Sequence, residues 1–246
     1  MKCKVCGKDW NTSICPYCGG TYCSEHIHPL DHFCEGITNK RSARIRLASY
    51  GANNVIIIIC TILFFISILN WRLMVDLFAL HPSIAHIFKM PWQIFTSMFL
   101  HIEFWHFFVN MFVLLFFGSE LERRLGSKRY VEIFIVSGLA GSLGYIIYAN
   151  LLNSYVPALG ASAAIFGVFG CLAIIAPEVR IMIFPIPIPI GIRTALFLFA
   201  AYDFWMMILS SAGVFTTNVA NVAHLAGLFV GLYYGRRYGR RKIRVY

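Results

Sequence analysis

Six apolar stretches, at about 52–71, 104–121, 129–152, 159–176, 192–212 and 218–235, each approach the roughly 20 residues that a helix needs to cross a bilayer. Each predicts a membrane-spanning helix. Between the first two, residues 72–100 are also apolar and aromatic, but Pro82 and Pro91 interrupt them. That pattern predicts short helices lying in the outer interface, with Trp92 as an anchor. The run at 184–191 alternates proline with isoleucine and lacks an amide donor at every second position. It predicts a stiff, extended connector. The pattern divides the chain into a cysteine-rich module at 1–36, a basic linker at 37–51, a membrane domain at 52–235 and a basic tail at 236–246. The expected fold class is an all-α polytopic membrane protein, a six-helix bundle preceded by a small metal-bound module.

Composition supports a membrane class: 59% of residues are hydrophobic and only 13% charged, with a mean hydropathy of +0.69. The formal charge of +10 does not mark a nucleic-acid surface, because the basic residues fall in short clusters between apolar runs. No nucleic-acid partner is expected. Those clusters precede the first span (Lys40, Arg41, Arg44, Arg46), join the second to the third (Arg123, Arg124, Lys128, Arg129), flank the fourth-to-fifth loop (Arg180, Arg193) and crowd the tail from Arg236 to Arg244. The loops at 153–157 and 211–217 carry none. By the positive-inside rule both termini are cytoplasmic, and the expected location is a multi-pass protein of the cell membrane. No cleavable secretory signal is visible.

Of eight cysteines, six lie within the first 34 residues. The order Cys3-x2-Cys6-x8-Cys15-x2-Cys18-x4-Cys23-x2-His26-x5-His32-x-Cys34 supplies eight thiolate or imidazole donors, the number that two tetrahedral zinc sites take. Paired C-x2-C knuckles with interleaved histidines favour metal over a disulfide framework. The module has little core beyond Trp10, Tyr17, Tyr22 and Phe33, so metal would supply most of its folding free energy. His28 falls outside the ligand pattern.

The membrane region holds few polar side chains, and their depths are informative. With the orientation above, spans two, four and six run from outside to inside. Ser162 then lies about one turn into span four, His224 between one and two turns into span six, and His106 and Asn110 in the first turns of span two. At about 1.5 Å per residue, all four share a layer within roughly 10 Å of the outer interface. A lone serine in a span usually bonds to a carbonyl one turn back. A serine level with a histidine has the parts for nucleophilic acyl transfer, with His224 as base and with the Ser162 N–H, Asn110 and His106 as oxyanion donors. No carboxylate is expected at this layer, which predicts a Ser-His dyad, with Phe166 available to stack on the imidazole. Asp203, in span five, is expected to be a structurally paired charge, and Glu122 and Arg124 to be architectural. His101 and His106, five apart, are expected on different faces, and with Glu103 misplaced for H-E-x-x-H they make a poor metalloprotease site. The small residues Ala223, Gly227, Gly231 and Gly235 of span six, and Gly160, Ala163, Ala164, Gly167, Gly170 and Cys171 of span four, would let the two helices approach closely.

The full N-terminal spacing resembles the AN-one class of zinc finger. That resemblance implies a cross-brace, with Cys3, Cys6, Cys23 and His26 on one structural zinc ion and Cys15, Cys18, His32 and Cys34 on the other. The membrane region resembles the rhomboid family of intramembrane serine proteases through H-x4-H-x3-N (His101, His106, Asn110), E-x-R (Glu122, Arg124), G-x-S (Gly160 to Ser162) and A-H-L-A-G-L (Ala223 to Leu228). The resemblance implies a six-helix core, Ser162 as nucleophile, His224 as base, and His106 and Asn110 as oxyanion donors, with no catalytic cofactor. Gln93 replaces the arginine of the family's Trp-Arg pair, and Ala163 stands at the second glycine of G-x-S-G. The expected substrates are single-span membrane proteins cleaved near the outer face, with helix-weakening residues at the scissile bond. The expected partners are those substrates, the lipid bilayer and a cytosolic protein at the zinc module. The competing reading is a non-catalytic rhomboid-like adaptor that hands membrane segments to a cytosolic partner.

Overall fold

A computed structural model describes residues 2–9, 11–15, 18–28, 31–32, 51–182, 189–214 and 221–242. Trp10, Tyr17, Phe33, Cys34, the linker's basic residues, positions 183–188 of the proline–isoleucine run, and Arg244 lie outside these. The chain forms two units, Met1–Tyr50 and Gly51–Tyr246.

In the first unit, strands β1 (Thr12–Ile14) and β2 (Thr21–Cys23) form an antiparallel hairpin, with Ser13 opposite Tyr22. Cys3, Cys15, Tyr22 and Cys23 are its buried hydrophobic residues among those described. So small a core is dominated by thiols.

The second unit is helical. Helix α1 spans Ala52–Leu69, followed by the short helices α2 (Trp71–Phe78), α3 (Ile84–Lys89) and α4 (Gln93–Thr96) and a 3-10 turn at Ser97–Phe99. The breaks at Pro82 and Pro91 fall between helices, where the missing amide costs no intrahelical bond. Gln93, in place of an arginine, is buried and holds this segment by uncharged bonds. Its Nε2 donates to the Asp76 carbonyl at 2.8 Å, and its Oε1 accepts from the His81 N–H at 3.2 Å. The Trp92 indole donates to the Leu77 carbonyl at 2.8 Å.

Helix α5 (Phe104–Leu125), α6 (Ser127–Leu151), α7 (Ser162–Ile175), α8 (Ile192–Ser211) and α9 (Asn221–Lys242) follow. Helices α1, α5, α6 and α8 are long and apolar enough to cross a membrane, and α7 is a shorter apolar helix of 14 residues. Helix α9 continues beyond its apolar run through the basic cluster to Lys242. Between α7 and α8, β3 (Arg180–Met182) pairs with β4 (Pro189–Gly191). The end of the proline–isoleucine run is thus extended, as its missing amides require.

Helix α5 widens to a π-helical turn at Leu114–Gly118. The buried Asn53 of α1 fills it, donating to the Leu114 carbonyl at 2.8 Å and to Ser119 Oγ at 3.0 Å, while Tyr130 donates to Asn53 Oδ1 at 2.5 Å. Glu122 accepts from the Ala52 and Asn53 N–H groups at 2.6 and 2.9 Å, satisfying two orphan donors at the start of α1. Glu122 and Arg124, two residues apart on a helix, serve different partners, since that spacing puts them on different faces. Arg124 pairs instead with Glu120 at 2.6 Å and Glu178 at 2.8 Å.

The centre of the unit is α7, against which α9 and then α6 pack most extensively. The small residues make that possible. A Cβ at Gly227 or Gly231 would collide with the carbonyl oxygens of Ala163 and Gly167, and one at Gly235 would lie 3.0 Å from the Cys171 oxygen. The methyl of Ala163 is accommodated because Gly141 of α6, opposite it, has no side chain. Replacing Gly231 by leucine should therefore destabilise the fold by about 1–3 kcal/mol or more. Gly239→Ala, whose methyl would meet Ile174 and Ile175 at 3.8 and 4.0 Å, should be neutral or stabilising by up to about 1 kcal/mol. Unfolding in detergent micelles distinguishes these outcomes, and equal responses from the two variants would contradict the packing described.

Candidate active site and metal-ligand clusters

The approach to Ser162 is built by backbone. Leu80 and Ala158 exchange a pair of hydrogen bonds at 2.8 and 2.9 Å, anchoring the loop before α7 to the segment after α2. Gly160 donates to the Ser97 carbonyl at 2.9 Å and has a φ of +114°. A Cβ there would lie 2.5 Å from the His106 ring, so both the dihedral and the imidazole exclude a side chain. The Ala161 N–H donates to His101 Nε2 at 3.3 Å. Burial, aided by neighbouring His106, keeps His101 neutral, with its pKa pushed down to about 3. Ser162 then opens α7, where its own N–H has no intrahelical acceptor.

Across the α7–α9 seam, Ser162 Oγ lies 2.7 Å from His224 Nε2. The Phe166 ring, one turn below the serine, stacks on the imidazole at 4.6 Å and 8°. The close helix approach at Gly227 is what brings the two side chains within reach. His106 lies against Gly160, and Asn110 donates one of its two amide protons to the His106 carbonyl at 2.7 Å. The four polar residues singled out by depth thus come from three helices, α5, α7 and α9.

Two expectations are overturned. The rings of His101 and His106 are 5.1 Å apart, because His101 precedes α5 in extended chain and helical spacing does not apply to it. A carboxylate does reach the site: Asp203 of α8 lies 3.0 Å from His224 Nδ1 through Oδ2 and 3.2 Å through Oδ1. Asn221 donates to Asp203 Oδ1 at 2.6 Å. The depth estimate failed because α7 has only 14 residues. At about 1.5 Å per residue it is roughly 21 Å long, short of a hydrocarbon core of about 30 Å. His224 contacts both residues, which puts Ser162 level with the middle of α8. Spacing did carry a signal for this contact: an acid inside a span costs roughly 2.5–3.5 kcal/mol to insert, and Asn221 and His224 stand one turn apart on a neighbouring helix.

In the first unit, the ligand atoms of Cys3, Cys6, Cys23 and His26 lie within 4.8 Å of one another, as do those of Cys15, Cys18 and His32. Cys6 and Cys23 sulfurs are 3.7 Å apart, Cys23 Sγ is 3.3 Å from His26 Nδ1, and Cys3 Sγ is 3.9 Å from it. Metal bonds of about 2.3 Å to sulfur and 2.0 Å to nitrogen in a tetrahedron imply edges of roughly 3.5–3.8 Å, so this donor set fits a metal ion. In the other set Cys18 Sγ and His32 Nε2 are 3.5 Å apart. His32 Nδ1 bonds to the His26 carbonyl at 2.9 Å, which leaves Nε2 for the ligand side. The Gly20 N–H and the Tyr22 hydroxyl bring the Cys18 pKa down to about 6, favouring the thiolate that a metal requires. Cys34 lies outside the described residues.

A helical membrane-type unit in which a serine, a histidine and a carboxylate from three helices meet at one partly buried point is a narrow class. Residues 88–241 match the Rhomboid domain, and the chain belongs to the rhomboid family. It is 37% identical over 113 residues to Rhomboid protein 1, mitochondrial, of Saccharomyces cerevisiae, a match covering 45% of this chain and 33% of that protein. It is 31% identical over 140 residues to Rhomboid protease GluP of Bacillus subtilis, covering 57% of this chain and 24% of the relative. It is also 36% identical over 81 residues to Inactive RHOMBOID-like protein 8 of Arabidopsis thaliana, covering 33% and 22%. The chain thus spans a third or less of the length of these relatives.

Gly160 is the most constrained position in the loop. Gly160→Ala should lower stability by about 1–3 kcal/mol through strain at positive φ and contact with His106. A melting temperature equal to that of the parent protein would show that the imidazole does not lie against this backbone.

Proposed function

We propose that the chain is an intramembrane serine endopeptidase that hydrolyses peptide bonds in or near the transmembrane segments of membrane proteins. The observation that carries this reading is the 2.7 Å separation of Ser162 Oγ and His224 Nε2. The serine hydroxyl attacks the scissile carbonyl carbon while His224 takes its proton; the imidazolium then protonates the leaving amine, and water releases the acyl group by the same path. The Ser162 N–H, the His106 ring and the second Asn110 N–H are the oxyanion donors in this reading. Six helices cross the bilayer, α7 and α9 joining the four of full span length, and both termini face the cytoplasm. The short α7 leaves its N-terminus below the outer surface, so water and an unwound substrate segment reach Ser162 from that side. The substrates are single-span proteins bearing helix-weakening residues.

The non-catalytic adaptor has one observation in its favour, the likeness to a plant protein described as inactive. An adaptor has no need of an aligned serine, imidazole and carboxylate. Proteoliposomes carrying a single-span reporter decide between the two readings. The wild type should cleave the reporter, and Ser162→Ala and His224→Ala should each be slower by about 10³-fold or more. Cleavage by Ser162→Ala at the wild-type rate would remove the enzyme reading.

For the first unit we infer two structural zinc ions, one held by Cys3, Cys6, Cys23 and His26 and the other by Cys15, Cys18, His32 and Cys34. Closed sites of this kind supply folding free energy and no chemistry. The module serves as a docking element for a cytosolic protein. Metal analysis of the full chain should find two zinc ions per chain, falling to about one in Cys3→Ala or Cys34→Ala as each set loses a ligand. Chelation should leave reporter cleavage intact. Zinc content unaffected by either substitution would refute the ligand sets.

A further inference from the structure

We propose that Asp203 is a positioning residue for the reaction, so that the site works as a Ser162–His224–Asp203 relay in which Asn221 holds the carboxylate. This rests on the endopeptidase reading above and extends it to a helix, α8, that contributes no reacting group.

Proton placement on the imidazole sets this role. A neutral imidazole has one protonated nitrogen and one lone pair, and which is which follows from its partners. An ionised carboxylate can only accept, so Asp203, 3.0 Å from Nδ1, fixes the proton there. The lone pair is then on Nε2, which faces the Ser162 hydroxyl at 2.7 Å. That is the tautomer a general base needs. When the serine proton transfers to Nε2, the imidazolium keeps Nδ1–H toward Asp203, and the new positive charge forms beside a carboxylate that is 3% exposed. The carboxylate is itself oriented, since the Asn221 amide donates to Oδ1 at 2.6 Å, leaving Oδ2 closest to the ring. Phe166 stacks on the imidazole, which limits its tilt but cannot choose between the tautomers.

An asparagine at 203 preserves shape but reverses this logic. Its amide can donate to Nδ1, which puts the ring proton on Nε2 and removes the acceptor for the serine proton. A glutamate keeps an acceptor.

The test uses the full chain in detergent micelles and a fluorophosphonate probe. Ser162 Oγ bonds to phosphorus, the P–F bond breaks with loss of fluoride, and the serine proton passes to His224. The maximal labelling rate and the half-saturating probe concentration are measured separately, beside the melting temperature. Asp203→Asn should lose about 10²–10⁴-fold in maximal rate with little change in half-saturation, and Asp203→Glu should recover much of that loss. If Asp203→Asn does not fold, Asn221→Ala takes its place, with an expected loss of about tenfold in maximal rate at unchanged half-saturation. A labelled wild type whose substituted forms label equally fast overturns the positioning role alone. So does a loss spread over rate, half-saturation and melting temperature that glutamate does not relieve. A wild type that takes no label at Ser162 overturns the nucleophile, and the positioning role with it.

Discussion

The membrane unit depends on how closely two helix backbones approach. At the α7–α9 seam, the carbonyls of Ala163 and Gly167 occupy the space that side chains at Gly227 and Gly231 would fill. In a bilayer, lipid-facing and helix-facing apolar surfaces are equally dry, so close packing and polar contacts decide which helices associate. The glycines supply the first and the Ser162–His224 hydrogen bond supplies the second. Neither is independent of the other, because the close backbone approach sets the two side chains 2.7 Å apart.

The surroundings of that seam fix it in place. Helix α6 backs it through Gly141 opposite Ala163, while the segment between α1 and α5 anchors the loop before Ser162 through Leu80 and Ser97. Two imidazoles from the H-x4-H-x3-N stretch complete the loop's packing. His101 accepts from Ala161, and His106 lies against Gly160. Further from the site, Asn53 fills the π-helical turn of α5, and Glu122 caps α1. Polar groups in this unit therefore largely serve backbone groups that regular helix leaves open, which is the least costly way to keep them out of lipid.

Much of this was legible in the chain itself. Apolar run length located the helices to within a few residues, except that α9 continues to Lys242, because in a bilayer the requirement for about 20 apolar residues is nearly independent of tertiary detail. Prolines marked the breaks between α2, α3 and α4, and the resemblance to an AN-one zinc finger implied the grouping of Cys3, Cys6, Cys23 and His26 that the structure shows. What was not legible came from helix length and register. Apolar composition suggested a full span at 159–176, whereas the helix begins only at Ser162, and the serine lies level with Asp203 across the His224 ring. The contact of His101 with His106 was hidden for a related reason, since spacing rules written for helix do not hold in the extended chain before α5. Gln93 had been conspicuous only as a missing charge; it bonds two backbone groups where the family carries arginine.

On the proposed reading, one hydroxyl in the chain is activated by an imidazole on a neighbouring helix. Digesting the fluorophosphonate-treated protein and locating the phosphorylated residue by mass spectrometry tests it most directly. A single adduct is expected, on the peptide containing Ser162, and none when His224 is replaced by alanine. An adduct at any other serine, or one at Ser162 that forms undiminished without His224, would contradict it.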